Sequence, residues 1–225
     1  MKQRASDLIE YMDKADCDQQ LLLNTYTLFP IINRLFSRWD RIYKNEIKPQ
    51  LTDRSIEYSL LDVGCGLMDN SLYIQKLAWN DGYTIRVTGV DPNRLVESMM
   101  DSSKTDQEFI CGYINELPVD RRFDFIISNH LLHHLETHEI TALLHDVSIR
   151  TNIRAVMNDI HRSWVAYYLF SLVTFPFKFN SYIFTDGRIS IRKSFRPTEL
   201  TELDVDQWVV KKVFPYRCLL VYEKR

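Results

Sequence analysis

The stretch Leu60-Leu61-Asp62-Val63-Gly64-Cys65-Gly66-Leu67-Met68-Asp69 limits the possible folds more than any other in the chain. An apolar run from Tyr58 to Val63 stops at two glycines one residue apart. Asp69-Asn70 then opens an amphipathic segment that continues through Trp79. This predicts a buried strand, a tight turn and a helix. Glycines at 64 and 66 admit positive φ and leave bare main chain for a ligand to lie against. In open α/β sheets, a turn of this kind at the carboxyl end of a strand is where nucleotides are held.

From residue 57 onward, short apolar runs alternate with helical ones. Strands are expected at Glu57 to Val63, Thr84 to Val90, Glu108 to Cys111, Phe123 to Ser128, Ile153 to Met157, Trp208 to Phe214 and Cys218 to Tyr222. Helices are expected near 69–80, 92–101, 138–149, 162–175 and 197–204. Alternation of this type gives a mostly parallel sheet covered on both faces. Only Pro215-Tyr216-Arg217 separates the last two strands, too short a link for a parallel crossover, so they should form an antiparallel hairpin at the end of the sheet. Ahead of the first strand, apolar residues at helical spacing (Leu8, Ile9, Met12; Leu21, Leu22, Leu28; Leu35, Phe36, Trp39) predict two or three helices with joints at Asp16 to Asp18 and at Pro30. The expected organisation is an N-terminal helical cap over residues 1–50 and a core over 51–225, forming one compact unit. The cap is either a structural wall or a cover over the substrate.

A formal net charge of -2 implies no general affinity for nucleic acid phosphates and leaves a small-molecule partner as the simpler expectation. Cys17, Cys65, Cys111 and Cys218 have no C-x-x-C spacing and read as free thiols. The amino terminus lacks the apolar core of a signal peptide, so the expected location is cytoplasmic. The most apolar run, Trp164 to Phe175, ends at Pro176, short of the ~20 residues a bilayer span needs. It reads as a buried or lid helix, with interfacial membrane contact as the alternative.

No Gly-Lys-Ser/Thr follows the glycine turn, and Gly64-x-Gly66-x-x-Asp69 lacks the third glycine of the dinucleotide fingerprint, which weakens the case for a phosphate ligand. Asp62 suits a cationic ligand, or braces the loop by accepting main-chain N–H bonds. Asp91, in Gly89-Val90-Asp91-Pro92, stands where an acid grips ribose hydroxyls, and Asp-Pro is equally a helix start. His130, His133, His134 and His138 form no H-E-x-x-H and have no nearby cysteine, so no metal is expected. A histidine of Leu132-His133-His134-Leu135 is a candidate base, or is satisfied by backbone bonds. Asp159 and His161, after the fifth strand, are an alternative acid/base pair, although Asp159 is also placed to cap a helix. Arg162 could meet an anionic substrate group. The aromatic residues from Trp164 to Phe175 would furnish an apolar pocket.

Taken together, these segments resemble the class I S-adenosylmethionine-dependent methyltransferases. The resemblance runs over about residues 57–222: Leu60 to Gly66 is similar to the family's first motif and Gly89-Val90-Asp91 to its second. Ile110 to Pro118, Phe123 to Asn129 and Leu132 to Leu135 are similar to the segments around strands three and four. It implies a Rossmann-like α/β fold, with a seven-stranded, mostly parallel sheet and a C-terminal antiparallel hairpin. It also implies S-adenosylmethionine as cofactor. Asp62, Gly64, Cys65 and Gly66 would lie along its methionine part, Asp91 and Pro92 at the ribose, and Asn129 at the border of the site. Where the family usually offers an acid to the adenine, this chain has Gly112-Tyr113-Ile114. Glu10-Tyr11-Met12-Asp13, the Asn158 to Arg162 segment and Gly187 to Phe195 resemble a subgroup of bacterial small-molecule methyltransferases related to quinone and polyketide pathways.

The implied activity is O- or C-methylation of a small aromatic or lipophilic acceptor, with His133, His134, His161 and Asp159 as catalytic candidates. No Asn/Asp-Pro-Pro-aromatic motif follows strand four, which disfavours a nucleic acid substrate. Asn129 stands where a magnesium-dependent catechol enzyme would need an acid. The rivals are a non-catalytic methyltransferase-like binding subunit and a nicotinamide-dependent reductase, whose Tyr-x-x-x-Lys is absent.

Overall fold

The structure, a computed structural model, describes residues 1, 3–14, 16–100, 107–203 and 205–224. Seven strands form one sheet: β1 (Glu57–Val63), β2 (Thr84–Asp91), β3 (Gln107–Cys111), β4 (Phe123–Asn129), β5 (Thr151–Ile160), β6 (Trp208–Val213) and β7 (Arg217–Glu223). Their order is β3-β2-β1-β4-β5-β7-β6. β1 to β5 are parallel, while β7 runs antiparallel to both β5 and β6. The expected strands and closing hairpin are therefore present, and β7 inserts between β5 and the edge strand β6.

Successive residues of the central strands point to opposite faces. Leu60, Phe125 and Leu219 pack with Trp39, Ile42 and Ile74 on one face; Leu61, Ile126 and Leu220 pack with Ile140 and Leu144 on the other. The helices are α1 (Gln19–Phe36), α2 (Trp39–Ile42), α3 (Asp69–Asn80), α4 (Arg94–Met99), α5 (Thr137–Arg150), α6 (Trp164–Thr174), α7 (Ile183–Lys193) and α8 (Pro197–Thr201). The expected helix over 92–101 has its last residue outside the described set, as does the end of the one over 197–204.

Three expectations need correction. Pro30 lies inside α1 and is not a joint, because Leu22, Thr25, Tyr26 and Ile32 bury one continuous face and Asp18 caps the start by accepting from Leu21 N at 2.9 Å. Residues 5–12 form no α-helix. Their main-chain donors go to distant partners: Ala5 N to Arg192 O, and Tyr11 N and Met12 N to the Asp186 carboxylate. The segment is a strap across α7 with a single 3-10 turn at Tyr11–Asp13. Finally, α7 is absent from the expected helices, and it carries Gly187, a poor helix former, near its centre. A Cβ at Gly187 would collide with the Phe170 ring, so the glycine lets α6 and α7 approach closely.

Candidate active site

At the end of β1 the chain turns through Gly64 (φ 66°) and Gly66 (φ 50°). Gly64 N donates to Val90 O at 2.9 Å, which ties the turn to β2. Gly66 N donates to Asp91 Oδ2 and Asn93 N to Asp91 Oδ1, each at 2.9 Å. A Cβ built on Gly66 meets nothing within 4 Å, so the turn faces open space. That space is a cavity of about 350 Å³, reached by Gly64, Cys65, Gly66, Asp91, Pro92 and Asn129. Asp62 does not line it. It lies beneath the turn, 1% exposed and held against Ser71 of α3. Burial pushes its carboxyl up to about 8, and Oδ2 has no hydrogen-bond partner among the described residues. Gly112, Tyr113 and Ile114 also stand outside the cavity lining. Tyr113 is exposed, and its N–H donates to Glu116.

Asn129, at the end of β4, closes one side of the cavity within a buried polar network. Its Oδ1 accepts from Asn158 Nδ2 (3.0 Å) and Arg217 Nη2 (3.1 Å). Arg217 also donates to Asn158 Oδ1 at 2.9 Å and meets His130 Nε2 at 2.9 Å. Burial lowers this guanidinium to about 10.

The cavity lining also has a charged part. His133 Nδ1 lies 2.8 Å from Asp159 Oδ1, and His133 N donates to Asp159 Oδ2 at 2.9 Å. On its other side, His133 Nε2 is 3.5 Å from Glu10 Oε1. Burial works against the imidazolium, but Asp159 and Glu10 outweigh it and hold His133 up to about 9. Burial likewise opposes ionisation of Asp159, and the charge on His133 overrides this to keep the carboxylate well below its usual range. His134, packed against His133 with ring centroids 4.3 Å apart, is driven down to about 4 by burial and by that neighbouring charge. At neutral pH, His133 therefore carries a proton and His134 does not. Glu10 also accepts from Ser190 Oγ at 2.8 Å, and Lys193 Nζ stands 3.9 Å from Glu10 and 3.4 Å from His134 Nδ1.

Glu10, His133 and His134 bring three ligand-type atoms within 4.8 Å of one another.

Of the expected catalytic residues, His133, His134 and Asp159 come together, with Asp159 behind His133 rather than on the cavity surface. His161 does not join them: its half-buried ring lies 6.3 Å from Tyr216 and does not line the cavity. Sequence reasoning missed the roles of Glu10, Asp13, Asp186, Ser190 and Lys193 as individual side chains. The signal lay in the Glu10 to Asp13 and Gly187 to Phe195 segments, which the fold brings together with Asp159. Their separation in the chain hides the contact.

Residues 60–152 match the family model described as "Methyltransferase domain". The matched stretch holds the glycine turn, Asp91 and Asn129. No curated protein matches it by sequence. Among solved structures, the methyltransferase fold is similar to that of the plantazolicin methyltransferase BpumL in complex with a pentazolic desmethylPZN analog and SAH, at TM-score 0.62 and 16% identity over 88% of this chain and 90% of that one. It is also similar to magnesium protoporphyrin IX methyltransferase (ChlM) from Synechocystis PCC 6803 with bound SAH, at TM-score 0.52 and 11% identity over 96% and 91% of the two chains. Human N-acetylserotonin methyltransferase in complex with SAM matches at TM-score 0.53 and 12% identity, covering 96% of this chain and 62% of that one. At these identities the likeness establishes the fold. The turn itself fits a cationic nucleoside: open space in front of Gly66 and the Asp91 carboxylate at its rim.

Proposed function

We propose that the protein methylates a small, lipophilic or aromatic acceptor at an acidic oxygen, or at the carbon of an enol. The observation that carries this reading is the mixed lining of the cavity. It includes the glycine turn. It also presents Glu10, Asp13, His133 and His134, together with the apolar side chains of Met12, Phe29, Ile32, Leu131, Ile160 and Phe170. A flat apolar molecule with one polar group suits such a space. When bound, S-adenosylmethionine supplies an electrophilic methyl on a positive sulfonium.

Gly64, Cys65 and Gly66 would run along the methionine part of that cofactor with their main chain. The Asp91 carboxylate retains lone pairs for the ribose hydroxyls, and Pro92 and Asn129 border the site. In this reading residues 1–50 are a cap that helps choose the acceptor, because Glu10, Met12, Phe29 and Ile32 all come from it. His134, neutral at pH 7, has a ring nitrogen able to take the acceptor's proton. His133, held as imidazolium between Asp159 and Glu10, orients that part of the lining and favours negative charge developing on the acceptor. Among the described residues, no helix is long and apolar enough to cross a membrane.

Calorimetry with S-adenosylmethionine, its demethylated product and NAD(H), followed by a product-release assay over a panel of phenols, quinols and pyrones, tests this. Saturable binding of the first two and turnover of at least one acceptor are expected. Binding of NAD(H) alone would overturn the cofactor assignment, and cofactor binding without turnover would favour a non-catalytic subunit.

A further inference from the structure

Helix α6 is oriented the opposite way to a core helix. Its inward side is Ala166, Tyr167, Ser171 and Thr174, where the two hydroxyls bond back to Tyr167 O and Phe170 O and Tyr167 Oη accepts from Arg188. Its outward side is Trp164, Val165, Tyr168, Leu169, Leu172 and Val173, each at least 48% exposed and Leu172 75%. Phe175 and Phe179 extend this surface, with Lys178 Nζ over both rings. α1 runs alongside in the opposite sense: the Phe36 ring lies 5.4 Å from Phe170, and Asn24 Nδ2 donates to Asn180 O at 2.8 Å. It adds Ile31 and Leu35, both more than half exposed. A contiguous apolar face of this kind marks an interaction site.

The charge pattern identifies what covers it. The chain holds 30 acidic residues in 225, yet residues 19–37 and 160–185 contain none. The ionised groups those stretches leave exposed are basic: Lys178, over the Phe175 and Phe179 rings, and Arg34 of α1, over the Tyr73 ring of α3. A second copy docking through the same face would set like charges against each other. An anionic lipid surface complements it, because Trp and Tyr rings settle at headgroup level while basic side chains reach the phosphates.

We propose that the exposed face of α6, flanked by α1, docks the protein on an anionic bilayer, lying in the interface without spanning it. Phe29 and Ile32 of α1 and Phe170 of α6 also line the cavity, so the docked face adjoins the acceptor space. Passage of a lipophilic acceptor from the bilayer rests on the proposed function; the docking itself does not.

Co-sedimentation of the full chain with phosphatidylcholine vesicles, with and without phosphatidylglycerol, tests the proposal. Binding to the anionic vesicles is expected, with Leu169→Glu/Leu172→Glu reducing the bound fraction at least ~10-fold and Lys178→Glu several-fold. Circular dichroism and cofactor calorimetry on the same variants should match the parent, which separates loss of docking from loss of the methyltransferase reading. If the double variant fails to fold, quenching by brominated lipid decides: the parent's fluorescence should be quenched and that of Trp164→Phe much less so. Absence of vesicle binding by the parent, undiminished binding by a folded double variant, or a parent dimer that the double variant dissolves would each overturn the proposal, the last assigning the face to a second copy.

Discussion

Two parts of the cavity and its surroundings are built from different materials. The proposed cofactor part is main chain: a turn within residues 63–69, tied to β2 by Gly64 N and to Asp91 by Gly66 N. The proposed acceptor part is side chain, with Glu10 from the strap, His133 and His134 from the turn after β4, Asp159 from β5, and Ser190 and Lys193 from α7. A contiguous turn can be specified by a short motif and carried between proteins of different specificity. A charge cluster gathered from four separate segments is particular to one chain, and in the proposed reading it carries the specificity.

If the two parts are independent, substitutions should separate them. The largest effect is expected for His134→Ala: turnover of an accepted phenol should fall ~10²- to 10⁴-fold, with cofactor affinity by calorimetry unchanged. Next is Asp159→Asn, which leaves the buried His133 cation poorly paired and should lower unfolding stability at pH 7 by about 3 kcal/mol or more. This effect depends on pH. His133 is raised from 6.5 to about 9 in the folded chain, so its stabilisation is complete below about pH 6.5 and is lost as pH rises through about 9. Thermal melts from pH 6 to 10 should fall across that window in the parent and far less in Asp159→Asn.

Asp91→Ala comes third. Loss of a charged acceptor should weaken cofactor binding ~10- to 100-fold while the pH dependence of melting stays that of the parent. The smallest effect is expected for Gly187→Ala, whose methyl pushes Phe170 toward the cavity: the acceptor KM should rise a few-fold, without change in cofactor affinity, as initial rates would show. A large cofactor effect from His134→Ala, or a loss of the pH window from Asp91→Ala, would break the division between the two parts.

The same division explains what could be read from the sequence. β1, the turn and α3 were legible because strand period, glycine spacing and helix start all lie within one window of the chain. Pro30 misled because the local preference it carries is outweighed by burial of a continuous face around Leu22, Tyr26 and Ile32. The strap over residues 5–12 misled for a related reason: its apolar spacing is helical, but Asp186, far along the chain, takes the N–H groups of Tyr11 and Met12. His133 and Asp159 could be named as candidates, yet nothing local indicated that one would hold a proton and its neighbour His134 would not. That follows from Glu10 and from burial, which only the fold supplies.

Met68 closes the glycine turn, one residue before Asp69, in a left-handed conformation at φ 62° and fully buried. An L-residue in that conformation is disfavoured by roughly 1–2 kcal/mol. The thioether offsets this by packing with the Cys65 thiol over Gly89, where β2 has no side chain to obstruct either. The consequence concerns when order is acquired. A turn with glycine at that position keeps some freedom until a ligand arrives, and each binding event must remove it. Here the restriction is complete once the chain has folded, so a cofactor meets a loop with little entropy left to lose.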